Sequence, residues 1–270
     1  MTMTNNTPIA LTIAGSDSGG GAGIQADLKA FSAAGAYGCS VITALTAQNT
    51  QGVQGIFDVD PAFIRQQLDS VFSDLAINAV KVGMLSQPEV ISTVADALAE
   101  YRPAYLVLDP VMVATSGDVL LQQTAIEKLK QVLIPKANLI TPNLHEAAVL
   151  LNRPVPENLD QMIDMVEPLL ALGSQTVLLK GGHLSGDKAV DFYHDGKSLH
   201  RLESNWIETN NTHGTGCTLS SVITALLARG YTLSEAIPEG KKYIAEAIAH
   251  ADQLTIGQGN GPVHHFYKYW

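Results

Sequence analysis

Only two of the 270 residues are cysteines, Cys39 and Cys217. Two thiols so far apart make neither a disulfide framework nor a zinc-binding spacing, and the cytosol is the expected compartment. Long apolar runs are missing too. "IALTIAG" is too short for a signal core or a membrane span, and "MTMTNNTP" before it has no basic region. Basic residues are scarce, 16 Lys and Arg against 26 Asp and Glu, for a formal net charge of −10. That balance argues against nucleic acid or an anionic membrane as partner. It leaves room for an anionic small substrate, which a few local cations and backbone amides can hold. Charged residues make up only 16% and hydrophobic residues 46%, so disorder is excluded and a large core is available.

What is present is an alternation of short β-branched runs and longer helical patterns. The predicted strands are 9–14, 38–47, 79–82, 105–109, 138–141 and 176–180. The predicted helices are 23–34, 61–73, 88–100, 124–133, 144–151 and 159–172, with two more at 218–229 and 233–254. Continuous apolar strands between helices imply a mostly parallel sheet covered on both faces. Asp195-Gly196 between two strand-like runs signals a hairpin, hence an antiparallel edge. The expectation is one α/β domain over residues 1–270, with 1–8 flexible.

In an open parallel sheet, ligands bind beyond the carboxyl ends of the strands, so those positions are the ones to read. "GSDSGGGAGIQADLKAF" brings backbone close to a ligand at a helix start. It lacks the Gly-Lys-Ser/Thr of a P-loop. Gly21 to Ala26 fit G-x-G-x-x-A, a weak dinucleotide signal set too far from the strand end. Asp109-Pro110 either orders a turn or presents a carboxylate to magnesium. Asn143 and Glu146 have capping-box spacing, or form an oxygen cluster for magnesium and phosphates. Lys180, followed by "GGH", is either solvated or neutralises nucleotide phosphates. In "NTHGTGC", the amides of Gly214, Thr215, Gly216 and Cys217 at a helix start form an anion hole of the kind that suits a transferring phosphoryl group. The alternative is a glycine-rich turn with a small buried cysteine. Adjacent His264 and His265 point to opposite faces of an extended chain, so packing, with Tyr269 and Trp270, is expected there rather than a metal site.

Taken in order, "LTIAGSDSGGGAGIQADLKAFSAAGAYGCSVITALTAQNT", "KVGML", "LDPVM", "LITPNLHEA", "LLKGGH", "NTHGTGCTLSS" and "GNGPVHHF" resemble the hydroxymethylpyrimidine kinase/phosphomethylpyrimidine kinase family of the ribokinase superfamily. The resemblance implies a ribokinase-like fold: a central mostly parallel sheet flanked by helices on both faces, with a small antiparallel flap. It implies ATP and Mg2+, and two phosphoryl transfers in thiamine biosynthesis. The first goes to the alcohol of 4-amino-5-hydroxymethyl-2-methylpyrimidine, the second to the product's phosphate. By motif, Gln48 is expected to hydrogen-bond the aminopyrimidine, with Gly15, Asp17, Ala22 and Met84 lining its pocket. Asp109 and Glu146 are expected at the metal, Asn143, Lys180, Thr212 and Gly214 at the nucleotide, and Gly214 to Cys217 at the moving phosphoryl. A homodimer is also implied.

Related sugar kinases carry Asp where this chain has Cys217. A neutral thiol avoids repelling an acceptor that is itself a phosphate, whose charge is about −1.5 to −2. In the first step, a thiolate favoured by the helix N-terminus is a candidate base. Rival readings are a pyridoxal kinase, an inactive binding protein of the same fold and a dinucleotide oxidoreductase.

Overall fold

The computed structural model describes residues 7–112, 121–182 and 187–270. Of the segment 1–8 expected to be flexible, residues 1–6 lie outside the described residues, as does His183 of "KGGH". Among those described, nine strands form one sheet in the order β3-β2-β1-β4-β5-β6-β7-β8-β9. The parallel centre is β1 (Ile9–Asp17), β2 (Tyr37–Asn49), β4 (Ala79–Val82), β5 (Tyr105–Leu108), β6 (Leu139–Ile140) and β7 (Thr176–Lys180). Both margins are antiparallel: β3 (Gly52–Asp58) on β2, and the hairpin β8 (Lys188–His194) and β9 (Leu199–Asn205) on β7. The hairpin turns at Asp195-Gly196, with Gly196 at a φ of 85°.

The two-residue period of the strands divides the core in two. Leu11 and Ile13 of β1 and Val80 and Val82 of β4 face α2 (Pro61–Asp74), α3 (Pro88–Tyr101), α4 (Gln123–Val132), α5 (Leu144–Leu151) and α6 (Leu159–Leu170). Ala10 and Ala79 face the opposite way, onto α1 (Gly23–Ala33), α7 (Thr215–Ala228) and α8 (Leu233–Ala249). Central strands buried on both sides explain the continuous apolar runs in the sequence.

Several predicted boundaries shift. β1 runs to Asp17 because it continues its pairing with β2 past a register slip at Ala14/Ser16, and β2 runs to Asn49 because it continues its pairing with β3 past one at Ala47/Gln48. β3 was not predicted. "GVQGIFD" is an edge strand with neither a continuous apolar run nor clean alternation, and it exists because β2 offers it a ladder. The last helix ends at Ala249 rather than 254, and α7 starts three residues before the predicted 218, which puts Cys217 inside its first turn.

Candidate active site

A cleft of about 870 Å³ opens at the carboxyl ends of the parallel strands. Every site residue named from the sequence lines it, from Gly15 on β1 to Cys217 on α7. The parallel sheet brings strand ends that are far apart in sequence to one edge, and the α1 and α7 N-termini point at that edge from beside it.

At one end is the glycine loop between β1 and α1. Asp17, 3% exposed, organises it. Its Oδ1 accepts the Gly19 amide at 2.8 Å, and its Oδ2 accepts the Gly21 amide at 3.0 Å and the Ala22 amide at 2.8 Å. His213 Nε2 reaches the same Oδ2 at 2.9 Å. Burial opposes the charge on Asp17, but the His213 hydrogen bond and the loop amides outweigh it and hold the carboxyl below its ordinary range. Asp17 therefore shapes the pocket through the loop, with both its oxygens engaged inside the protein. Gly15 leaves room at the pocket floor for Met84, whose methyl group would have to move aside for a Cβ 2.6 Å away. Gln48, at the end of β2, is half-buried beside His213.

The opposite wall carries Asp109, Asn143, Glu146 and Lys180. Asp109 Oδ1 accepts Lys180 Nζ at 3.0 Å and Thr141 Oγ1 at 2.9 Å, and its Oδ2 accepts Ser220 Oγ at 3.2 Å. Burial works against ionising Asp109, but the charges of Lys180 and Lys81 hold its carboxyl low. Burial also opposes the charge on Lys180, and Asp109 and Glu146 hold it above its usual range. Asn143 and Glu146 do form the capping box of α5, with Asn143 Oδ1 accepting the Glu146 amide at 2.9 Å and Glu146 Oε2 accepting the Asn143 amide at 2.7 Å. Both line the cleft all the same. Burial pushes the Glu146 carboxyl up to about 7; Lys180 opposes this and the neighbouring Asp109 charge adds to it.

Between the two walls stands the N-terminus of α7. Gly214 is its N-cap at a φ of 78°, packed so closely that a Cβ there would collide with the Gly21 carbonyl oxygen. The first-turn amides of a helix have no intrahelical acceptor. The Thr215 amide bonds back to Thr212 O at 3.2 Å, so the predicted anion hole narrows to Gly214, Gly216 and Cys217. A Cβ on Gly216 would lie 3.1 Å from Lys180 Nζ and 3.7 Å from Asp109 Oδ2, which places the hole directly against the Asp109–Lys180 pair. Of the two states read for Cys217, the neutral thiol is favoured over the thiolate base. Burial pushes the thiol up to about 11, and Lys81 and the Gly23 amide only partly offset it, so the group at this helix start is a neutral thiol.

Three features were missed. Lys81, fully buried under the cleft, donates to both oxygens of Asp27 at 3.0 and 2.9 Å, and Thr12 and Ser221 complete that carboxylate's shell at 2.6 and 2.7 Å. This network ties α1, α7 and β4 together beneath the anion hole. Burial works against the charge on Lys81, and Asp27 more than restores it. A lysine inside the apolar strand "AVKV" was the available signal. Lys241 and Asp191 pair at 2.7 Å in the middle of β8, beside the end of β7, where Asp191 also accepts the Gly181 amide. His213 was quoted within its motif but given no role. The C-terminal histidines pack as expected: both are buried, with His265 on Thr218 at 3.0 Å and His264 against Trp270 at 4.8 Å between rings.

The phosphomethylpyrimidine kinase family model matches residues 17–264. Hydroxymethylpyrimidine/phosphomethylpyrimidine kinase of Rhizobium meliloti (strain 1021) is 53% identical over 264 residues, 98% of this chain and 99% of the relative. The Escherichia coli (strain K12) protein of the same name is 49% identical over 261 residues, 97% of this chain and 98% of the relative. Among solved structures, an ADP complex of Bacillus subtilis pyridoxal kinase superposes with a TM-score of 0.89 at 39% identity, covering 96% of this chain and 97% of that one. With a central parallel sheet of the ribokinase-like kind and a match running through nearly its whole length, the chain belongs to the phosphomethylpyrimidine kinase family.

Proposed function

We propose that this protein transfers the γ-phosphoryl group of ATP to the alcohol of 4-amino-5-hydroxymethyl-2-methylpyrimidine, and then a second phosphoryl group to the resulting monophosphate, in thiamine diphosphate synthesis. The observation that carries this reading is a thiol, Cys217, in place of a carboxylate in the first turn of α7, beside amides that abut Lys180. A site for alcohols alone tolerates a carboxylate at that spot; a site whose second acceptor is a phosphate does not. The names of the relatives that align over nearly the full chain agree with both steps.

The roles of the residues follow from their positions. The amides of Gly214, Gly216 and Cys217 receive the moving phosphoryl, and the α7 dipole favours its negative charge. Lys180, with Asp109 holding it in place, balances the phosphate oxygens, and Asn143 and Thr212 border the nucleotide. Gln48 offers donor and acceptor to the pyrimidine edge over a floor of Gly15 and Met84, with Ala22 at its side. Phosphoryl transfer passes through a loose transition state, so positioning and charge stabilisation supply most of the rate and a thiolate base is not required. Related Staphylococcus aureus pyridoxal kinase structures contain ADP or AMP-PCP, which favours ATP here. The acidic wall fits Mg2+: two buried carboxylates with an Asn oxygen are hard donors, and a nearby cation would restore the charge that burial takes from Glu146. Asp109 and Glu146 would hold the ion, which when bound neutralises charge on the triphosphate.

The soluble partners are then ATP and the two pyrimidine acceptors, in the cytoplasm. No helix among the described residues is long and apolar enough to cross a membrane. The exposed apolar residues Leu45, Ile56 and Phe57 of β2 and β3 favour a homodimer. Mass spectrometry of the pyrimidine alcohol incubated with ATP-Mg2+ tests the function: one and then two added phosphoryl groups are expected, and a product that stops at none or one overturns the reading. The likeness to B. subtilis pyridoxal kinase favours a second activity on pyridoxal, and the same assay with that alcohol measures it.

A further inference from the structure

Asp17 and Gln48 meet at one imidazole, that of His213. The ring packs close against the Gly21 backbone, where a Cβ would strike its Cδ2, and the His213 backbone is tied to the C-terminal segment through Gly261 O at 3.0 Å and the Val263 amide at 3.4 Å. Its Nε2 lies 2.9 Å from Asp17 Oδ2. An ionised carboxylate only accepts hydrogen bonds, so Nε2 carries a proton whatever the state of Nδ1. The same Nε2 lies 3.4 Å from Gln48 Nε2, which is also a donor only. At the other end of the carboxamide, Thr46 Oγ1 sits 3.1 Å from Gln48 Oε1 and 2.9 Å from Ser16 O, with one hydrogen for two acceptors. A half turn of the Gln48 amide removes the donor–donor contact: its oxygen then faces the His213 N–H as a second, longer acceptor beside Asp17 Oδ2, its nitrogen donates to Thr46 Oγ1, and the threonine hydrogen goes to Ser16 O.

We propose that Asp17 and His213 form a positioning pair that fixes the Gln48 carboxamide with its oxygen toward His213 and its nitrogen toward Thr46, so that the pocket prefers alcohols whose ring carries an amino donor beside a ring-nitrogen acceptor. This rests on the kinase reading above and deepens it. The amide has one lone pair and one N–H left for the substrate, in an order the protein dictates. A ring with a different order of donors and acceptors leaves one of them buried and unmatched, which is where strong discrimination arises. The loop that shapes the pocket and the residue that reads the substrate therefore share one proton.

Two measurements test the pair. The first is 15N NMR of histidine-labelled protein, assigned by the signal lost in His213→Gln. A protonated Nε2 at His213 is expected, and an unprotonated Nε2 overturns the proposal whatever the substrate. The second is kinetic. His213→Leu should lower the kcat/KM preference for the aminopyrimidine alcohol, over the same alcohol lacking the amino group, by about tenfold or more. The KM for ATP should hold within about twofold, and His213→Gln, which keeps a donor, should restore most of the preference. In a Gln48→Ala background the leucine substitution should add nothing further. An unchanged preference, full additivity with Gln48→Ala, or equal losses for ATP and alcohol overturns the positioning role. A wild-type protein that phosphorylates neither alcohol overturns the kinase reading instead, and the NMR result still decides the pair.

Discussion

Replacing Gly214 with alanine separates the anion hole from general stability. At a φ of 78° an alanine costs about 1–2 kcal/mol in backbone strain. Its Cβ would also overlap the Gly21 carbonyl oxygen, and that atom is backbone, in a loop held by Asp17, so no side chain can rotate away. Overpacking of this sort costs about 1–3 kcal/mol further, giving about 2–5 kcal/mol in all. Relief requires the first turn of α7 to move off the glycine loop. That motion takes the Gly216 and Cys217 amides away from the Asp109–Lys180 pair. Losing one aligned donor of this type lowers kcat by about 10²–10³. Gly230 is the control. Its φ is 94°, and a Cβ there would meet nothing within 4 Å. Gly230→Ala should lose about 1–2 kcal/mol to strain alone and keep its kcat. Thermal unfolding together with steady-state ADP release measures both variants. A Gly214→Ala protein that is folded at the assay temperature with kcat within about threefold of wild type would refute the assignment of the hole.

Two further outcomes follow from the same site. Cys217→Asp should keep the first phosphorylation and lose the second, because a carboxylate about 4 Å from an anionic acceptor costs about 4 kcal/mol per charge pair at an effective dielectric of 20; equal loss of both steps, followed by phosphorus NMR of the products, contradicts this. Asp17, whose folded carboxyl is held below its ordinary value of 3.8, contributes stability that is fully present above that pH and is lost as pH falls through the lower folded value. Asp17→Asn should therefore melt below wild type at pH 7, with the gap closing under about pH 4; a gap that stays constant down to pH 3 shows that Asp17 does not carry its charge into the fold.

The layered fold was legible in the sequence, because central parallel strands buried on both faces have to be continuous apolar runs, and the strand-end residues read as a site meet in one cleft. Glycines at 15, 21 and 214 and the thiol at 217 marked backbone that packs closely at that cleft. The edge strand β3 was not legible, since "GVQGIFD" acquires its structure from pairing with β2 rather than from its own pattern. The neutral thiol at Cys217 was read from the charge of the acceptor, and the fold adds a reason the sequence did not show: burial, with Asp27 and Asp109 nearby, outweighs the pull of Lys81 toward a thiolate. The pairings Lys81–Asp27, Lys180–Asp109 and His213–Asp17 span 54, 71 and 196 residues. Local sequence dictates hydrophobic period, caps and turns; partners that far apart meet only when the sheet order is set, and the charge each of them carries depends on the burial that the same folding step imposes.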